Sequence, residues 1–186
     1  MMGFGPKQAW LAVRDGDIAA VVAALGLRDL GPAPWRTAVD LAYLTDDRVV
    51  VTPPLAGAGG PWVLVAGRWL LLHAYPTLDL GALSATLDTE VQLFATYRVS
   101  ETHHWARAAG GDVLRDFEFA EEVVTWQGEP DDAELATGLP ARLDDDMDIL
   151  VSEQDVMAVA GAWSVDPTSI DGRPATGSPH VAATTA

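Results

Sequence analysis

Residues Val91 to Phe119 read VQLFATYRVSETHHWARAAGGDVLRDFEF. Two extended segments flank Ala108-Ala109-Gly110-Gly111-Asp112, a turn signal of the kind that joins antiparallel strands. Side chains alternate faces along a strand, so Glu101, His103, Trp105 and Arg107 share one face while Thr102, His104 and Ala106 share the other. With Gly110-Gly111 as a two-residue turn, His103 lies opposite Glu118, Trp105 opposite Asp116 and Arg107 opposite Leu114. A change of one residue in that register moves every one of these pairings.

Outward from the hairpin, Glu121 to Trp126 adds a further antiparallel strand. Ala9 to Val13 and Arg48 to Thr52 read as strands, and Pro53-Pro54 ends the second by withdrawing amide donors. Trp62 to Val65 and Trp69 to His73 read as two strands around Gly67-Arg68, or as one long bent strand, apolar enough to be covered on both faces. Asp15 or Asp17 can cap a helix through Ile18, Val21, Val22 and Leu25, stopped at Gly26. Further helices are expected over Trp35 to Tyr43, with Ala38, Val39 and Ala42 on one face, and over Asp79 to Leu87. Asp131 to Leu135 suits one helical turn, and Ser152 with Asp155 resembles a capping box ahead of Val156, Val159, Ala160 and Trp163. Strands in a run without alternating helices predict an α+β fold: a single domain over 1–167, an antiparallel sheet with a central meander, and helices packed on one face. From 168 to 186 the chain is Ser, Thr, Gly, Pro and Ala, which reads as a disordered low-complexity tail.

The chain has 186 residues, 49% of them hydrophobic, with seven tryptophans and a formal charge of −16. That charge repels nucleic-acid phosphates and anionic membranes and steers a basic partner inward. There is no cysteine, which excludes disulfides and thiolate metal sites. No signal peptide is expected from the N-terminus, and no apolar run is long enough to span a bilayer, so the expected setting is cytoplasmic.

Chemistry concentrates on the hairpin. A histidine flanked by carboxylates is a general base, because a neighbouring anion raises its proton affinity and fixes its tautomer. This gives His103 that role, with Glu101 or Glu118 orienting it. Arg107 can hold an anion through parallel hydrogen bonds, and Trp105 and Asp116 complete a binding face. The bland alternative is a solvated sheet face whose opposite charges pair across strands. Adjacent histidines on a strand point apart, so His103 and His104 do not form a metal pair, and no metal or cofactor is expected. Ala56 to Pro61 is glycine-rich but lacks the Lys-Ser/Thr and helix of a phosphate-binding loop. Asp144, Asp146 and Asp148 alternate like calcium ligands, yet Ile149 stands where a calcium loop needs glycine. No Gly-x-Ser-x-Gly elbow is present, which argues against a serine hydrolase.

The segments FATYRVSETHHWARA and VMAVAGAWSVDP resemble pieces of a group of uncharacterised bacterial proteins of about this length. Phe94 to Arg98, His103 to Arg107 and Ala160 to Pro167 are the matching positions, about a third of the chain including what lies between the motifs. The resemblance carries no function of its own. Small acidic α+β proteins of this class include immunity partners of toxins, which favours binding over chemistry. The expectation is therefore a cytoplasmic acidic protein-binding module, immunity-like, docking a basic partner through Trp105 and Arg107. The alternative is a small enzyme acting on an anionic metabolite with His103 as base.

Overall fold

A computed structural model describes residues 1–5, 8–97, 99–120, 123–143 and 149–185. Its centre is β1 (Ala9–Arg14), whose side chains are buried up to the last residue. A strand apolar on both faces needs cover on both, so it belongs inside a sheet that carries layers on each side. β1 runs antiparallel to β5 (Gly60–Ala66) on one side and β6 (Val91–Tyr97) on the other. β6 continues into the expected meander through β7 (Thr102–Ala109), β8 (Asp112–Ala120) and β9 (Val123–Gln127). Beyond β5 come β3 (Arg48–Val51), then β10 (His180–Thr184), then β2 (Leu27–Pro32) at the edge. A short β4 (Leu55–Gly57) forms a hairpin with β5. The α+β fold and its antiparallel sheet thus stand as expected.

Helices cover both faces of this sheet, not one. On the first face, α2 (Trp35–Leu44), α4 (Asp132–Ala136) and α5 (Glu153–Trp163) pack with Trp10, Leu64, Phe94, Trp105 and Phe117. On the second, α1 (Ile18–Ala24) and α3 (Leu80–Leu87) pack with Leu11, Val13, Val63, Leu93 and Ala106. Alternation along β1 supplies both clusters, with Trp10 and Ala12 to one side and Leu11 and Val13 to the other. Of the two expected caps for α1, Asp17 is the one that forms, and Asp79 caps α3 as well. Asp17 accepts from the Ala20 amide at 3.0 Å and Asp79 from the Ala82 amide at 2.8 Å. Ser152 and Asp155 complete their capping box.

Trp69 to His73 does not form a strand. Gly67 has φ +157°, and a Cβ there would lie 2.6 Å from the Arg48 carbonyl, so the chain leaves the sheet at this residue. Leu70–Ala74 then winds as a π-helical turn and Tyr75–Thr77 as a 3₁₀ turn. A short apolar run does not by itself separate a strand from a buried helical turn. The C-terminal residues depart furthest from expectation, since β10 lies inside the sheet and is no disordered tail. Val181, Ala182 and Ala183 are small apolar residues suited to a covered strand, and Ile170 is also buried. Trp35 Nε1 donates to the Gly177 carbonyl at 3.0 Å, and His180 contacts Asp29 at 2.9 Å, which fix the approach to the strand. Glu121, the expected start of β9, and the acidic run Asp144, Asp146 and Asp148 lie outside the described residues, as does Arg98.

Ala182 is fully buried between β2 and β3. Ala182→Asp places an unpaired carboxylate there and should lower stability by about 3 kcal/mol or more, read from the urea midpoint. An unchanged midpoint would contradict the inner position of β10.

Candidate functional site

The β7–β8 turn is the one the sequence predicts. Gly110 and Gly111 have φ +61° and +95°, the left-handed pair that a tight hairpin turn needs, and Ala109 pairs with Asp112. One step further the ladder slips. Ala108 faces Val113, but Arg107 faces Arg115, so Leu114 bulges out of register. From there His104 lies opposite Glu118, Ala106 opposite Asp116, Trp105 opposite Phe117 and His103 opposite Phe119. The bulge therefore moves Asp116 and Glu118 off the face of His103 and onto that of His104.

A buried ion pair accompanies the slip. Arg115 and Glu134 are each 0% exposed, and Arg115 Nε donates to Glu134 Oε1 at 2.8 Å. The same oxygen accepts Trp105 Nε1 at 2.6 Å, and Glu134 Oε2 accepts the Asp131 amide at 3.0 Å. Arg115 Nη1 donates to the carbonyls of Gln127 at 3.0 Å and Gly128 at 3.2 Å. Gly128, at φ +78°, comes so close that a Cβ would lie 2.3 Å from the Leu114 carbonyl. Without the bulge, alternation would turn Arg115 away from α4. Asp131 extends this network: its Oδ2 accepts Trp163 Nε1 at 2.8 Å and lies 3.2 Å from Arg107 Nη1. The Arg107 guanidinium sits 4.5 Å from the Trp163 ring centre.

Two hollows result, one on each face of the hairpin. On the α3 face, a half-enclosed cleft of about 460 Å³ is lined by Tyr75, Asp79, His104, Asp116 and Glu118, with Leu78, Leu80, Leu93, Ala106 and Val113 as apolar wall. His104 Nε2 meets Asp116 Oδ1 at 2.8 Å. A carboxylate only accepts, so this contact puts a proton on Nε2. Tyr75, at the end of the π-helical turn, donates its hydroxyl to Glu118 Oε1. Burial, then the Glu118 hydrogen bond and the negative charge of Glu118 and Asp116, push the Tyr75 phenol far above its ordinary range. Its ring lies 5.3 Å from that of His104.

On the α5 face, a wider hollow of about 700 Å³ is lined by Glu101, His103, Phe119 and residues 149–154. His103 is 7% exposed, and its Nδ1 lies 3.2 Å from the Thr96 hydroxyl. Burial holds its proton affinity below the ordinary value, against the pull of Glu153, Asp155 and Glu101. Glu101 stands in the turn before β7 at φ +45°.

The six site residues expected from the sequence are thus divided. Glu101 and His103 remain neighbours on one face, while Glu118 and Asp116 belong to the other. Trp105 is 0% exposed and tied to Glu134, so it offers no ring to a partner. Arg107 is paired with Asp131. His104 and Tyr75 enter the site instead. His104 carried a signal, because the register that excluded it was one residue from the register that includes it. Tyr75 carried none, since its position depends on a turn where a strand was expected.

Among the described residues, no three His, Asp or Glu side chains converge as a metal set. No helix among them is long and apolar enough to cross a membrane. Comparison with protein-family models, with curated proteins and with solved structures gives no match.

Glu134→Gln leaves Arg115 charged and buried without its counterion, and should lower stability by about 3–5 kcal/mol. The paired change Arg115→Met with Glu134→Leu should recover most of that loss, because it removes both charges together. A single-variant loss below about 1 kcal/mol in urea unfolding would contradict the arrangement. His103 binds protons less readily folded than unfolded, so the unfolded chain takes up more protons as the pH falls through 6.5. Its contribution to stability is present above 6.5 and lost below. The fall in unfolding free energy between pH 7 and pH 5 should be smaller in His103→Gln; an equal fall in both proteins would contradict this.

Proposed function

We propose that the protein is an acidic binding module, acting in the cytoplasm, that docks a partner with a basic surface. The observation that carries this reading is how its cations are placed. Of eleven Lys and Arg side chains, Arg14, Arg36, Arg48, Arg68, Arg107 and Arg115 lie within ion-pair distance of the chain's own carboxylates. Asp and Glu number 27 against those eleven cations, which leaves the formal charge at −16. Such a surface raises the encounter rate with a basic protein and repels acidic ones. An immunity-like role, neutralising a basic toxin by covering it, fits this electrostatics and the resemblance of the hairpin and α5 segments.

The competing enzymatic role, with His103 as base for an anionic metabolite, has less support. Among the described residues the hydrogen-bond partner of His103 is the Thr96 hydroxyl, Glu118 lies on the other face, and Arg107 is bound to Asp131. A general base needs its orienting acid within hydrogen-bond reach.

A partner recovered with the protein from its own cells should be basic and stoichiometric. Its affinity should fall by about tenfold or more between 50 and 300 mM salt, because charge attraction is screened. His103→Ala should change that affinity by less than about twofold, since rim and bystander contacts contribute little. An acidic or neutral partner, or a salt-independent affinity, would overturn the proposal. So would a turnover that His103→Ala abolishes.

A further inference from the structure

We infer that the cleft on the α3 face is a receptor for one cationic side chain, a lysine ammonium or arginine guanidinium on its aliphatic stem. The inference rests on the basic-partner reading and names the group that would enter. Three features of the cleft select such a ligand.

The first is its charge. Asp79, Asp116 and Glu118 line it, and among the described residues no Lys or Arg does. Each carboxylate is held by a weaker partner: Asp79 by the Ala82 amide, Asp116 by His104, Glu118 by the Tyr75 hydroxyl. Each therefore keeps lone pairs for a further donor. Burial first, and then the hydrogen bond and charge of Glu118 and the charge of Asp116, oppose ionisation of the Tyr75 phenol, and the same two carboxylates disfavour a negative ligand.

The second is an unpartnered buried atom on a side chain that lines the cleft. His104 is 7% exposed, and its Nδ1 has no hydrogen-bond partner. Nε2 faces Asp116, so Nδ1 is the ring atom left for a further partner. Buried polar atoms in folded proteins are nearly always paired, so an orphan beside a cleft points to a group that arrives later.

The third is shape. Leu78, Leu80, Leu93, Ala106 and Val113 line the same cleft beside the acids. Long cationic side chains lay their methylenes along apolar surface while the charge reaches a polar end. The volume, about 460 Å³, lies within the range of sites that take small ligands.

The test is an amide NMR titration of the intact protein with Nα-acetyl-lysine methylamide, with Nα-acetyl-arginine methylamide as a second arm and Nα-acetyl-norleucine methylamide as the uncharged control. A lysine or arginine probe should shift the amides of His104, Ala106 and Val113 with millimolar affinity, the scale of a single side-chain contact. The control should bind about tenfold more weakly or not at all, since bonds to charged groups carry most of the selectivity. Asp116→Asn with Glu118→Gln should weaken the cationic probe about tenfold, with folding confirmed by the retained spectrum of α5. The comparison of charged and uncharged probes on the unaltered protein needs no variant and decides the matter alone if the double variant fails to fold. Equal shifts from norleucine, or no shift from either cation, would overturn the inference. If the cations leave the cleft unshifted while a basic partner still binds, the cleft inference falls and the basic-partner reading stands. If the cations bind but the recovered partner is not basic, the reverse holds.

Discussion

Arg115 and Glu134 face each other fully buried, and much of the hairpin's geometry follows from that contact. Removing a carboxylate and a guanidinium from water costs several kcal/mol each, which their attraction offsets only when the remaining donors and acceptors are also satisfied. Here Trp105 and the Asp131 amide complete Glu134, and the Gln127 and Gly128 carbonyls take up Arg115 Nη1, while Arg115 Nη2 has no partner among the described residues. Meeting these partners requires Arg115 on the face that α4 and α5 cover. Strand alternation from the Gly110-Gly111 turn would send it to the other face, and the bulge at Leu114 resolves the conflict. The same half-turn carries Asp116 and Glu118 to the side of His104. A structural ion pair on one face thus sets the composition of the cleft on the other.

Much of the fold was legible because each element carried its own local signal. Asp17 caps α1 and Asp155 reaches back to Ser152 where the sequence predicts, and the Gly110-Gly111 turn forms between the expected strands. What escaped depends on contacts distant in sequence. The Leu114 bulge answers to Glu134 and Gly128, which no pattern within the hairpin announces. β10 resembles a tail by composition and becomes a strand because β2 and β3 leave a gap of one strand between them. Trp69 to His73 has strand-like apolarity, but Leu70–Ala74 winds as a π-helical turn that the same apolar run suits equally well.

The candidate site shows the same division. The residue types were correctly placed on one hairpin, while their grouping was wrong by a single position. Trp105 was read as an exposed anchor and is instead a donor to a buried carboxylate. His104, set aside because it points away from His103, is the histidine that meets the acids. The cleft on the α3 face collects Asp79, Asp116 and Glu118, with no Lys or Arg among its described lining residues.

The register of β7 against β8 is the claim on which the site depends most directly. Cross-strand nuclear Overhauser contacts along this hairpin measure it without any substitution. The account predicts contacts pairing His104 with Glu118 and Ala106 with Asp116, in the ladder that places Arg107 beside Arg115. Contacts pairing His103 with Glu118 and Trp105 with Asp116 would contradict it, and would return the carboxylates to the opposite face.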